Sequence, residues 1–311
     1  MRDWPTLVLI VLCYSGWAAA TVWLPEISVW LAVVVLAPLV ALQSSLQHEV
    51  LHGHPFRSQR LNEGLVFLTL NLAIPYQRFR DTHLEHHRDA MLTDPYDDPE
   101  TNYIDPVIWE RMPKTLQGLM QFNNTLLGRM ILGPLIGQIK FMHADWLLIR
   151  MGDKAVLRAW GLHAVASVVI LAWLITVGTL PLWAYGLAAY GGLALLRIRT
   201  FLEHQAHESA RGRTVVIEDR GLLALLFLNN NYHVVHHMHP QVSWFRLPAL
   251  YRSNRDHYLR RNHAYYFASY WSVISRFLLR SKDPVAHPIW RGDQRKSPLP
   301  ERITRRISAR Q

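Results

Sequence analysis

The sequence predicts an all-α integral membrane protein: four transmembrane helices in two hairpins, beneath a cytoplasmic helical cap that carries clustered histidines. Three observations predict it. Four stretches, near residues 5–24, 29–46, 159–177 and 180–196, are apolar over close to the ~20 residues a bilayer requires. Arg and Lys avoid these stretches and collect in the long segment between the pairs and after the second pair. Histidines recur at i, i+3 and i+4, the spacing of a single helix face.

Each element has its own sequence signal. The first two spans are separated only by Pro25-Glu26 and the last two only by Gly178-Thr179, so each pair reads as a tight hairpin. Trp4, Trp23, Trp30 and Trp183 sit near span ends, as interfacial aromatics do. The positive-inside rule then puts both termini and both large polar regions in the cytoplasm. Arg2, an apolar core and Ala18-Ala19-Ala20 also fit a cleaved leader, but the next apolar run follows at once, which favours a span. Residues 65–75 are too short to cross. Residues 115–146 are broken by Gly118, Asn123, Asn124, Arg129 and Gly133-Pro134. Both predict helices lying at the interface. Residues 1–275 read as one domain and 276–311 as a basic cytoplasmic tail.

Composition narrows the class. Half of the 311 residues are hydrophobic, and a mean hydropathy of +0.03 averages apolar runs with basic, His-rich stretches. The formal charge of +10 comes without any nucleic-acid-reading motif, so a membrane face or an acidic electron donor explains it better than nucleic acid. Cys13 is the single cysteine and lies in a span, which excludes a disulfide framework and a Cys-ligated cluster.

Twelve of the 17 histidines fall in four groups. Three are His48-Glu-Val-Leu-His52, His83-Leu-Glu-His86-His87 and His233-Val-Val-His236-His237. Their eight imidazoles suit iron, zinc or copper rather than magnesium or calcium. Eight are too many for one tetrahedral zinc and match two metals that keep open positions. His204 and His207 form a fourth group just past the last span, and one of the two is expected to be a ligand. His54 and His239 flank the first and third clusters as expected supports for the ligands. Glu49, Asp81, Glu85, Asp94, Asp97, Asp98 and Glu203 are near enough to accept the other ring N–H of a ligand. The acidic run 94–100, with Pro95 and Pro99, reads more readily as a solvated turn. His143, His163, His257, His263 and His287 are isolated and read as surface or packing residues.

The spacings H-x3-H, H-x2-H-H and H-x2-H-H, with a pair of spans between the second and third, resemble those of the membrane fatty acid desaturases. The stretches around His48–His54, around His233–Pro240 and from Val242 to Pro248 look especially like bacterial members, over residues 48–248 in all. The resemblance implies that His48, His52, His83, His86, His87, His233, His236 and His237 hold two non-haem irons, with O2 as co-substrate. It also implies a further ligand upstream of the third cluster, where His204 sits best and His207 is the rival. Such a protein is expected in a bacterial inner membrane, acting on a membrane lipid or carrier-bound acyl chain. The third cluster opens with His233, not with the Gln of front-end desaturases fused to cytochrome b5, and His54-Pro55 lacks the paired glycines of a b5 domain. The resemblance therefore implies a separate donor of ferredoxin, rubredoxin or cytochrome type, with its reductase. Asn229, Asn230 and Asn231 lie beside the third cluster without a clear counterpart of the asparagine that acyl-CoA desaturases use.

Two rivals remain at this stage. His48-Glu49-Val50-Leu51-His52 also fits H-E-x-x-H, the zinc metalloprotease pattern with Glu49 as general base, but that reading leaves most clustered histidines without work. A metal transporter would place its ligands within the spans, whereas these lie outside them. Among oxidations on the same scaffold, fatty acyl desaturation is favoured over a hydroxylase or ketolase of a lipid or carotenoid.

Overall fold

The structure is a computed structural model that describes residues 3–87 and 92–290. Helix α1 (Trp4–Ile27) starts with Pro5 in its first turn, where a missing N–H costs nothing, and α2 (Val29–Leu51) follows after Ser28 alone. The Ser28 hydroxyl accepts the Leu31 amide and so caps α2. Later in the chain, Asp153 caps α8 (Lys154–Thr176) by accepting the Ala155 and Val156 amides. A five-residue link then leads to α9 (Leu182–Thr200). Helices α1, α2 and α8 are each long and apolar enough to cross a bilayer. The fourth predicted span is helical too, but its 19 residues end in Arg197 and Arg199 and it falls short of that measure.

Helices α2 and α9 lie closest together. A Cβ on Gly192 would stand 2.6 Å from Val40 Cγ1, and one on Gly191 would stand 3.0 Å from the Ala37 Cβ. Lipid gives helices no hydrophobic drive to associate, so such small-residue contacts carry the packing. Around this seam Trp17, Ala32, Leu36, Leu70, Ile170, Leu174, Ala184 and Tyr185 form one buried core.

Residues 66–75 depart from the expected interfacial helix. Helix α3 (Gln59–Leu65) stops short, and the chain runs without helix through the bundle until α4 (Tyr76–His86) begins. Bare carbonyls at such depth are tolerated only when the protein itself satisfies them. Here Gln47 Nε2 donates to Val66 O (3.2 Å), and Tyr14 and Gln43 both donate to Leu68 O (2.7 and 3.1 Å). Tyr185 donates to Leu70 O (2.7 Å), and His163 Nε2 lies 3.2 Å from Leu72 O. Gln138 donates to Ala73 O (2.7 Å). Side chains from all over the bundle thus replace the missing helix bonds.

Apart from the 25-residue α7, the remaining elements are shorter. Helices α5 (Pro106–Arg111), α6 (Lys114–Asn123) and α7 (Leu126–Arg150) lie between the two pairs in sequence, and α7 packs along α8 and α9. Beyond α9 come α10 (Leu222–Leu226), α11 (His233–Met238), α12 (Leu247–Ser253), α13 (Arg255–Arg261) and α14 (Tyr270–Phe277). Strands β1 (Val216–Ile217) and β2 (Tyr266–Phe267) pair in parallel. Within the stretch expected as a tail from Arg276, Ile104 N donates to Val285 O, His287 N to Ile104 O, and Asn124 Nδ2 to Asp283 O. These bonds tie residues 283–287 to Ile104 and to Asn124 at the end of α6. Residues 291–311 of the tail lie outside the described residues.

Candidate metal centre

Helix geometry delivers the histidines. His48 is in the last turn of α2 and His52 is its C-cap; His83 and His86 end α4 and His87 caps it; His233, His236 and His237 share one face of α11. His204 joins them from the strand-like stretch that bridges to Thr214. The nine sort into two groups, His48–His52–His83–His87–His236 and His86–His204–His233–His237, with ligand nitrogens in each within 4.8 Å of one another. The rings of His87 and His237, one from each group, stack at 4.3 Å.

The nitrogens fit cations. Short Nε2–Nε2 contacts join His86 to His204 (2.8 Å), His83 to His87 (2.9 Å), His204 to His233 (3.0 Å), His233 to His237 (3.1 Å) and His87 to His236 (3.2 Å). Every one lies within a group. Two imidazoles each ~2.1 Å from one ion, at right angles, put their nitrogens ~3 Å apart. His48 Nε2 and His52 Nε2 are buried with no partner, a costly state unless an ion takes their lone pairs.

The outer nitrogens are held as ligands require. His83 Nδ1 lies 2.8 Å from Glu100 Oε1, and His86 Nδ1 lies 2.8 Å from Asp98 Oδ1. A carboxylate at Nδ1 keeps the proton there and frees Nε2 for a metal. Burial pushes His204, His233 and His236 far below the usual histidine range, so they stay neutral and able to bind. At His86 burial acts the same way, but Glu100 and Asp98 outweigh it and raise the pKa to about 9. A bound cation would take the place of that extra proton.

The profile of the family described as fatty acid desaturase matches residues 27–270, a span that includes both groups. The chain belongs to the fatty acid desaturase family. No curated protein matches the sequence. Members of this family are generally di-iron oxidoreductases, and the apolar helices fit an integral membrane protein.

Within this desaturase-family site the remaining sequence candidates separate. His207 stands outside both groups; its Nδ1 accepts the Ser209 amide (3.1 Å) and its ring packs on His263 at 4.6 Å. His54 pairs with Asp3 (2.9 Å), and Glu49 accepts the Trp244 amide (3.0 Å) while lying 3.8 Å from His54. His54 and Glu49 belong to neither ligand group. His239 approaches Tyr258 at 6.4 Å and joins neither group. Asp81 is taken up by Arg80 (2.9 Å). His163 and His287 are buried packing residues, as expected.

Two expectations need correction. The acidic run 94–100 does turn, with Asp94 Oδ1 accepting the Tyr96 and Asp97 amides, but it is not merely solvated. Asp98 is buried and holds His86, its other oxygen accepting the Thr93 amide (2.8 Å). Glu203 does support a ligand, though through Asn230: Asn230 donates to Glu203 (2.9 Å) and its Oδ1 lies 3.3 Å from His233 Nδ1. Arg199 Nε holds Glu203 in turn at 3.1 Å. Lys282, which no motif flags, donates to the His204 carbonyl and fixes the strand that presents that ring. Asp98→Ala should weaken metal retention by about 10–100-fold while the fold persists, the usual loss when a ligand's outer hydrogen bond is removed. Metal content after graded chelator dialysis, with helicity by circular dichroism, checks it; unchanged retention would show that Asp98 only shapes the turn.

Proposed function

We propose that this protein is an O2-dependent di-iron oxidase of unactivated C–H bonds in lipid acyl chains, and that its reaction is fatty acyl desaturation. The observation that carries the reading is the pair of all-nitrogen histidine groups, one of which takes His48 and His52 from the end of the membrane-length helix α2. In this reading His48, His52, His83, His87 and His236 hold one iron and His86, His204, His233 and His237 the other. Bound there, the two irons would supply the reduction of O2 that makes a methylene hydrogen removable. The chain's own residues do the rest. Glu100, Asp98 and Asn230 keep the ring protons on Nδ1, and burial keeps His204, His233 and His236 neutral. The apolar bundle offers the acyl chain a dry path, with the active site and both termini on the cytoplasmic face of a bacterial inner membrane. Electrons come from a separate carrier protein with its reductase.

Nothing in the placement of Glu49 favours the protease alternative, since its carboxylate is engaged by the Trp244 amide. The test is lipid profiling of a host that expresses the chain or its His86→Ala variant, with metal analysis of the purified protein. The expected result is about two irons per chain and new double bonds with the wild type only. New hydroxyl or keto groups would transfer the site to the hydroxylase and ketolase outcome. One zinc per chain, with peptide cleavage that Glu49→Gln abolishes, would sink the oxidase reading.

A further inference from the structure

A basic pocket beside the third histidine helix takes no part in the chemistry above. It is a cavity of about 470 Å³ lined by Glu218, Arg220, Tyr232, Tyr251, Arg252 and Arg255. The three arginines are exposed at its rim. Glu218 is already engaged, accepting from Tyr251 Oη and Arg255 Nε at 2.6 Å each. The segment from Arg246 to Arg261, which supplies Arg252 and Arg255 to the pocket, carries five arginines against the single acid Asp256.

The floor of the pocket leads inward. Tyr232 is 1% exposed, is hydrogen-bonded to Arg220, and directly precedes His233 in the chain. Its ring lies 5.0 Å from Tyr251, which stacks on Tyr258 at 6.0 Å. These tyrosines pack with Val216, Val234, Val235 and Leu247, and no residue of that core comes from α1, α2, α8 or α9. A lipid headgroup would be met beside those helices, so this site suits a soluble partner.

We infer that this pocket and its α12–α13 rim are the docking surface for an acidic one-electron carrier protein, which passes electrons through Tyr232 to His233. The inference rests on the desaturase reading. That reaction reduces one O2 to two waters. Two electrons and two protons leave the adjacent methylenes as the double bond forms. Two further electrons come from the carrier in two visits, and two protons come from water. The single cysteine of this sequence cannot ligate an iron–sulfur cluster, and in this proposal the carrier supplies each electron. Opposite surface charge speeds and orients such encounters.

The test uses the iron-loaded full chain in phosphatidylcholine nanodiscs, with an acidic [2Fe–2S] ferredoxin as probe. Binding by biolayer interferometry and ferredoxin oxidation by absorbance are compared for wild type, R220E, R252E and the control R111E on α5. R220E and R252E should each weaken binding on the order of tenfold and slow ferredoxin oxidation in proportion, with iron content unchanged. R111E should match the wild type, whose affinity should fall as salt rises. Wild-type affinity in both variants, equal loss in R111E, or no binding by the wild type overturns the docking surface. Lost lipid product with unchanged ferredoxin binding would mark a substrate-headgroup site and also overturns it. A wild-type chain that binds ferredoxin but changes no host lipid would instead remove the desaturase reading.

Discussion

Replacing His204 with alanine should strip iron from the group His86–His204–His233–His237 and end turnover, whereas His207→Ala should keep both. His204 Nε2 lies 2.8 Å from His86 Nε2 and 3.0 Å from His233 Nε2, so it occupies the middle of its group. Removing it takes one nitrogen from a set of four and opens a void between the rings of His86 and His233. His207 instead holds Ser209 and packs on His263, so its loss disturbs only a surface loop. Iron content and product formation of the two variants, measured side by side, decide it. Full iron and activity in His204→Ala would mean that the three sequence clusters suffice.

The second large effect lies outside the histidines. Arg78 on α4 makes a bidentate pair with Asp145 on α7 (2.9 and 2.8 Å), and Trp160 on α8 donates to the same carboxylate at 2.8 Å. Both charged side chains are almost wholly buried. Asp145→Ala would leave an uncompensated guanidinium in the interior, a change that costs about 3–5 kcal/mol. Because α4 presents His83 and His87 to one group and His86 to the other, loosening it should lower iron in both. The double change Arg78→Met with Asp145→Leu should restore much of the stability, since apolar residues of similar size often replace a buried pair without loss. Detergent-resolved melting curves with metal analysis test this. A melting point unmoved by Asp145→Ala would show the pair to be incidental.

Why some of this was legible in the sequence and some was not follows from range. His48 and His52, or His83, His86 and His87, converge through helix pitch alone, so spacing reveals them. The same locality made the breaks between helices readable to within a few residues, though the first falls at Ser28 with Pro25 inside α1, and α9 packs mainly on α2 and α7 rather than on α8. The partition of the ligands was hidden, because it splits neighbours: His86 and His87 are adjacent in the chain yet serve different groups. Asp98 was legible only as one of seven candidate carboxylates, for a similar reason. A Pro-flanked acidic run looks the same whether it faces water or an imidazole, and the bonds that fold it inward involve Thr93 and His86 rather than its own pattern. Residues 66–75 misled because an apolar run carries no record of who accepts or donates to its backbone. Those donors are Tyr14, Gln43, Gln47, Gln138, His163 and Tyr185, up to 115 residues away.

That spread of donors also imposes an assembly order. Synthesis delivers residues from the N-terminus onward, so Val66 and Leu68 can find Gln47, Gln43 and Tyr14 as soon as the first hairpin is in place. Leu70, Leu72 and Ala73 must wait for Tyr185, His163 and Gln138, all made much later. Until then the loop cannot settle at depth, and the start of α4 that grows from it has no fixed seat. The second histidine cluster is therefore positioned only when the last apolar helix arrives, so the growing chain cannot assemble a complete oxidising centre before its membrane part is closed.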